Sequence, residues 1–289
     1  MPIHSWGVLF VLLVFLLIFV SAFSVLALGI YELGWSGPWM KYVPLPAAMV
    51  NGKFVTQHAV FVRLAAYEKS VNGGVELAKE KKLILARLTE EKIISDLAGK
   101  QGIVVTETEL ARHYDFLVNQ FGIRHTDAEN EISQRLGLSE KQFKKILVRP
   151  DLLETKLKIS FMAAATEESE YKQARFARQR LVAGLDFTEA ARLYSDDEKS
   201  KFLGGQIGFF KPEELEPRLA DAISNLRDGD ISDIVISPTG YNILQIAART
   251  GSGDDEQVLL RKIFIQGPDF EEYLEKEKQN YKVYVFWKL

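Results

Sequence analysis

Few residues of this sequence have the types and spacing that catalysis requires. It has no cysteine, and its histidines are His4, His58, His113 and His125. These histidines lack the H-E-x-x-H spacing of zinc enzymes, so we predict no metal site. Gly204, Gly205 and Gly208 cluster in one loop, but no Lys-Ser or Lys-Thr pair follows, so we predict no phosphate loop and no cofactor. The neighbouring carboxylates of Asp196 and Asp197 could serve a reaction or simply form a solvated turn.

The overall composition is that of a folded protein. Among 289 residues, 47% are hydrophobic and 26% are charged, which disfavours an intrinsically disordered chain. The formal net charge is −3. A nucleic-acid-binding protein would normally carry a strongly basic face, so we predict no nucleic-acid partner.

An apolar run near the N-terminus predicts a membrane anchor. From Gly7 to Ile30 the only polar side chains are Ser21 and Ser24. A helix of this length can cross the ~30 Å hydrocarbon core of a bilayer. A cleaved signal peptide is the alternative, but it would have a basic start and an apolar run of only ~7–15 residues. We therefore predict a single-pass anchor within residues 1–31, with a lipid bilayer as partner.

The next part of the chain predicts mainly helices. Residues 32–56 are interpreted as a linker followed by a first strand, and residues 57–158 repeat apolar side chains at intervals of three and four. Thr106 and Glu109 have the spacing of a capping box, and Ser139 begins a similar helix start. A single long helix is expected from about Asp151 to a stop at Gly184.

Beyond Gly184 the pattern changes from helical to mixed. A short helix, a glycine cluster and another helix are followed by strand-like runs at residues 233–237, 240–247, 258–265 and 281–287. We predict an α+β fold in which residues 159–289 form a domain with one small, mostly antiparallel sheet near the C-terminus.

Four pieces of this second half resemble the parvulin family of peptidyl-prolyl isomerases. They are G-x-D-F-x-x-x-A-x-x-Y-S-D-D at 184–197, G-G-x-I-G-F-F at 204–210, ELEPRLADAISNLRDGDIS at 214–232 and TGYNILQI at 239–246. Upstream, AAMVNGKFVT at 47–56 and the helices that follow are similar to the chaperone portion of the bacterial foldases SurA and PrsA. The resemblance covers residues 47–246.

The resemblance implies a proline-binding site on this chain. Its substrate-binding positions fall on Ile207, Phe210, Leu215, Leu219 and Thr239. The polar residues implied near the prolyl amide are Ser195 and Asp197. The implied partners are unfolded or proline-containing client polypeptides, handled outside the cytoplasmic membrane of a bacterium.

The sequence departs from the parvulin pattern at the family's two histidines. Asn242 stands at the histidine position of the last strand, and Leu219 at a position where the family usually has a large aromatic residue. The first strand, which carries the other histidine, is replaced by helical sequence. Residues 258–265 resemble that strand, with Lys262 at the histidine position. We therefore predict a permuted sheet whose first strand comes from the C-terminal segment, and we count Asn242 and Lys262 among the candidate catalytic residues.

Two functions remain open at this point. The first is a membrane-anchored parvulin-type isomerase that acts on exported, unfolded chains. The second is a chaperone or envelope scaffold that keeps the fold without isomerase activity, which the missing histidines favour. The reaction needs no covalent nucleophile, so other polar groups could still act on the twisted amide.

Overall fold

The computed structural model describes residues 45–71 and 76–287. No helix within these residues has the length and apolar character needed to cross a membrane. The anchor predicted at residues 7–30 lies outside the described residues.

The first half of the described chain is helical, as the apolar spacing predicts. The helices are α1 (Gln57–Ser70), α2 (Leu77–Lys100), α3 (Glu107–Gln120), α4 (Ala128–Leu136), α5 (Glu140–Phe143) and α6 (Arg149–Ala164), and a π-helical turn (Lys144–Val148) joins the last two. The capping box of Thr106 and Glu109 is confirmed at the start of α3, and Ser139 forms a second one with Gln142.

The single helix predicted up to Gly184 is wrong. The chain instead forms α6 and then α7 (Ser169–Val182), with a break between them. At the end of α6 the carbonyl of Met162 accepts a hydrogen bond of 3.0 Å from the hydroxyl of the buried Tyr241. The same carbonyl accepts a hydrogen bond of 3.2 Å from the N–H of Ala165, which closes the last turn of the helix, and α7 turns back over the sheet. Tyr241 is distant in sequence, so helical periodicity could not reveal the break.

Three further helices and a four-stranded antiparallel sheet complete the second half. The helices are α8 (Phe187–Tyr194), α9 (Pro217–Ile223) and α10 (Phe270–Lys278). The strands are β3 (Gln206–Phe210), β4 (Val235–Ser237), β5 (Gly240–Thr250) and β6 (Gln257–Gln266), in the order β3-β6-β5-β4. The C-terminal strand β6 therefore lies in the centre of the sheet, between β3 and β5, as the permutation hypothesis requires.

Apolar clusters cover both faces of this sheet. On one face Tyr241, Ile243, Ile263 and Ile265 pack against α7 and α8. On the other face Leu244, Ile246, Val258 and Leu260 pack against residues of α9 and the segment before it. The sheet is thus buried from both sides. On the second face, Ile207 and Phe210 of β3, Leu215, and Leu219 of α9 form an apolar wall, and the candidate site lies on this face.

A second, three-stranded sheet joins the two ends of the described chain. Its strands are β1 (Pro46–Val50), β2 (Lys53–Thr56) and β7 (Val283–Val285), in the order β2-β1-β7. Asn51 and Gly52 have φ values of 45° and 83°, as a two-residue type I′ hairpin requires. The expectation of one C-terminal sheet is therefore corrected, because the last strand pairs with β1 and not with β5 or β6. The alternation of residues 281–287 specifies a strand but not its partner.

Candidate functional site

The loop after α8 and the central strand β6 bring three predicted site residues together. The carboxylate of Asp197 lies 3.1 Å from the ammonium of Lys262. The buried hydroxyl oxygen of Ser195 accepts hydrogen bonds from the backbone N–H groups of Phe264, at 3.1 Å, and Asp197, at 3.3 Å. Ser195 thus fixes the loop to β6 at the point where Asp197 faces Lys262.

A glycine allows the same loop to approach β6 closely. Gly205 has a φ of +76°, and a Cβ built on it would lie 2.8 Å from the carbonyl oxygen of Lys262. Its own carbonyl accepts a hydrogen bond of 2.8 Å from the backbone N–H of Lys262. Any other residue would be strained here and would push the loop away from the lysine. The glycine cluster noted in the sequence therefore positions the charged pair.

Asp197 is held in its ionised form. Partial burial disfavours the charge, but the ammonium of Lys262, the hydroxyl of Ser200 and the backbone N–H of Lys199 outweigh that effect and lower the pKa of the Asp197 carboxyl. The site thus presents a partly buried carboxylate in contact with the partly buried side chain of Lys262.

The predicted apolar residues lie on the same face of the sheet as Lys262. Leu215 is buried, and Ile207, Phe210 and Leu219 pack against the cluster that it helps to form. In the ladder Lys262 pairs with Leu244, a member of that cluster. Because paired residues of neighbouring strands project to the same face, the Lys262 side chain lies on the face that these apolar residues cover. An apolar surface next to a charge pair can hold a proline ring while polar groups contact its amide.

The other two predicted residues have different surroundings. Asn242 is buried on β5, and its side-chain amide donates a hydrogen bond of 3.3 Å to the carbonyl of Val235. This bond links β5 to the short strand β4. Thr239 is exposed in the turn between these two strands, where its carbonyl accepts a hydrogen bond from Gly267. The Asn242 side chain therefore bonds within the sheet. Within the described residues, Thr239 forms no hydrogen bond with Asp197 or Lys262.

Two polar residues of this region escaped the sequence analysis. The buried Ser200 donates a hydrogen bond of 3.0 Å to the carboxylate of Asp197, and the D-x-x-S spacing is the signal that could have found it. Glu216 precedes α9 between two residues of the apolar wall. Burial raises the pKa of its carboxyl, and within the described residues its Oε2 atom has no hydrogen-bond partner. No pattern in the sequence marks Glu216 as buried.

Comparison with protein families gives a match for part of the second half of the chain. Residues 150–248 match the rotamase family described as the PPIC-type PPIase domain, PPIase standing for peptidyl-prolyl isomerase. The matched range includes Ser195, Asp197 and the apolar wall. It ends before β6, so the central strand of the sheet and Lys262 come from sequence beyond the match.

Individual relatives agree with the family match. The chain is 26% identical over 211 residues to chaperone SurA of Methylococcus capsulatus, covering 59% of this chain and 46% of that protein. It is 25% identical over 163 residues to foldase protein PrsA 2 of Bacillus anthracis, covering 56% of each. The chain thus spans about half the length of these two relatives.

A solved SurA-like chaperone of Campylobacter jejuni is also similar. It has a TM-score of 0.34 and 14% sequence identity, over 84% of this chain and 99% of that one.

Proposed function

We propose that this chain, which carries a parvulin-type peptidyl-prolyl isomerase domain at residues 150–248 and is similar to SurA and PrsA, is an extracytoplasmic foldase. It binds unfolded exported polypeptides and accelerates rotation about their Xaa-Pro bonds. The observation that carries this proposal is the contact of Asp197 with Lys262 beside the apolar wall.

The proposed catalysis follows from the nature of the barrier. Amide resonance sets a rotational barrier of ~18–20 kcal/mol, and twisting the bond removes the conjugation. Ile207, Phe210 and Leu219 hold the proline ring, so that the preceding residue rotates against a fixed group. The ammonium of Lys262 has three N–H donors, and those not directed at Asp197 stabilise the twisted amide. No covalent bond to the enzyme forms or breaks.

The remaining polar groups keep this donor in place. Asp197 orients Lys262, and Ser200 and the backbone N–H of Lys199 orient Asp197. A preorganised donor favours the transition state more than the planar ground state, and this difference is what accelerates a reaction.

The proposed location rests on the apolar run at residues 7–30. This segment would anchor the chain in the cytoplasmic membrane of a bacterium and hold the foldase body beside emerging polypeptides. A location outside the cytoplasm would place this chain where exported polypeptides emerge unfolded, which fits its similarity to SurA and PrsA.

A second candidate function is a chaperone or scaffold without isomerase activity. It is favoured by the bond between the Asn242 amide and Val235, which replaces a family histidine with a contact inside the sheet. The charge pair at Lys262 is the observation that favours the isomerase instead.

A rate measurement separates the two functions. The full-length chain in detergent is added to a Xaa-Pro peptide, and cis-to-trans conversion is compared with the slow uncatalysed rate. We expect acceleration by the wild type and a loss of roughly tenfold or more for Lys262→Met, because one preorganised donor is removed. Lys199→Met is the matched control, since Lys199 is an exposed lysine of the same loop.

Two results would contradict this proposal at different points. A wild-type rate equal to the uncatalysed one, while the same protein suppresses aggregation of an unfolded client, would leave the chaperone function as the one to pursue. Equal, accelerated rates for Lys262→Met and Lys199→Met would overturn the catalytic role of Lys262 but not isomerase activity itself.

A further inference from the structure

The outer edge of β7 exposes backbone groups that pair with no strand of the described residues. In the β1–β7 ladder the N–H of Asn51 bonds to the carbonyl of Lys282, and the N–H of Phe286 bonds to the carbonyl of Ala47. Antiparallel ladders alternate between hydrogen-bonded and non-hydrogen-bonded pairs. Val283 and Val285 therefore fall at the non-bonded positions, with their N–H and C=O groups directed away from β1.

The β1–β2 hairpin supports the same alternation. Its two-residue turn makes Val50 and Lys53 a hydrogen-bonded pair, and Ala48 with Val55 is the next one along the ladder. The backbone groups of Ala48 and Val50 are thus used by β2. Opposite them on β7, the groups of Val283 and Val285 remain directed outward.

A largely apolar groove runs beside this edge, and the charged residues Lys82, Arg87, Glu90 and Lys278 also contribute to its lining. It has a volume of about 790 Å³ and lies between α2 and β7. Leu85, Ala86 and Ile93 of α2 contribute to its lining, and Val283, Val285 and Trp287 contribute from the other side. Val283 is 41% exposed and Val285 is 59% exposed, although both are apolar. A row of outward N–H and C=O groups therefore lies next to an apolar surface.

We propose that the β7 edge binds an extended, apolar segment of an unfolded polypeptide as a fourth strand of the three-stranded sheet. Its backbone would pair with Val283 and Val285, and every second side chain would enter the groove. This inference rests on the proposed function, because it supplies a holding site for the same clients.

An extended polypeptide fits this edge better than a second copy of the chain. Pairing β7 with β7 would join only the three residues Val283–Val285 of each copy. A stable dimer usually buries about 1,200–2,000 Å² in total, far more than two such short strands supply. A transient hold on a client requires no such area, and backbone pairing tolerates many sequences.

Peptide binding by the full-length chain in detergent tests the inference. The probe is a fluorescein-labelled octapeptide of alternating valine and threonine, and its dissociation constant is measured by anisotropy. We expect Val285→Pro to weaken binding at least tenfold, because proline removes an outward N–H that the fold itself does not use.

Phe54→Pro is the control at the opposite edge. Phe54 belongs to β2 and lies between the hydrogen-bonded residues Lys53 and Val55, so its N–H also points outward. This variant should bind the probe as the wild type does. Hydrogen–deuterium exchange on the wild type provides a measurement that needs no variant, and we expect the amides of Val283 and Val285 to become protected when the peptide binds.

The outcomes distinguish this inference from the proposed function. Unchanged binding by Val285→Pro, or no new protection at Val283 and Val285, overturns the edge site while the client-binding function stands. Dimerisation in sedimentation that Val285→Pro abolishes, without peptide binding, overturns it in favour of self-pairing. A wild-type chain that accelerates no Xaa-Pro rotation and binds no unfolded polypeptide contradicts the proposed function itself.

Discussion

The two sheets formed by the described residues are both completed by the C-terminal segment, but in opposite ways. In the four-stranded sheet β6 is a central strand that pairs on both sides. In the three-stranded sheet β7 is a short edge strand whose residues are all exposed. The same stretch of chain thus contributes one strand to a buried core and another to the surface.

The difference shows that the position of a strand in its sheet matters more than its position in the sequence. β6 follows the matched isomerase domain, yet it supplies the middle of that domain's sheet and the lysine of the candidate site. β7 lies close to the end of the chain, and the N–H and C=O groups of two of its three residues, Val283 and Val285, are unpaired within the described residues. We therefore expect changes in β6 to affect folding and changes in β7 to affect binding.

Truncation should show the largest contrast between the two strands. Ending the chain after Glu256 removes β6 together with α10 and β7. With β6 go four fully buried side chains, namely Val258, Leu260, Ile263 and Ile265. Each contributes roughly 1.5–3 kcal/mol on burial, and their sum is comparable to the ~5–15 kcal/mol stability of a typical protein. We expect no cooperative thermal unfolding of this truncated chain by circular dichroism.

The second truncation ends after Tyr281 and removes β7 with the residues that flank it, including Trp287, whose ring packs against Phe61. It keeps Tyr281, whose hydroxyl donates a hydrogen bond to Asp96, and we expect it to unfold cooperatively with a modestly lower melting temperature. Similar melting curves for the two truncations would show that β6 is not the structural centre of its sheet.

Much of this arrangement could be predicted from the sequence. The strand-like run at residues 258–265 predicted β6, and the resemblance of its R-K-I-F-I pattern to the first strand of the parvulin family predicted that it takes that strand's place in the sheet. The partner of β7 could not be predicted, since a three-residue strand with exposed side chains carries no pattern that selects β1. The contact between Asp197 and Lys262 also depends on tertiary folding, because a loop and a strand far apart in sequence must meet.

Single substitutions should show the same difference between β6 and β7 while leaving the fold intact. Ile263→Ala removes a fully buried side chain of β6 and should lower the free energy of unfolding by about 2–5 kcal/mol. Val283→Ala changes an exposed position of β7 and should lower it by less than about 0.5 kcal/mol. Urea denaturation measures both values. An equal loss for the two variants would contradict the assignment of β7 to the surface.

The smallest expected effect concerns the carboxylates beside the two sheets. Next to the three-stranded sheet, hydrogen bonds from Lys53, Lys100 and Tyr281 lower the pKa of Asp96. Next to the four-stranded sheet, burial raises the pKa of Glu216 above its ordinary 4.5, and its Oε2 has no partner within the described residues. The fold therefore stabilises the charged form of Asp96 and destabilises the charged form of Glu216.

Neutral variants of these two residues should therefore change stability in opposite directions. Folding favours protonated Glu216, so its contribution is fully present below pH 4.5 and is lost as pH rises through the raised pKa. Glu216→Gln should raise the urea midpoint slightly at neutral pH, and this gain should vanish in acid. Asp96→Asn should lower the midpoint at neutral pH, because the contribution of Asp96 is present above its ordinary pKa of 3.8 and is lost only as pH falls through the lowered one. If both variants shift the urea midpoint in the same direction at neutral pH, the fold treats the charges of Asp96 and Glu216 alike and this prediction is wrong.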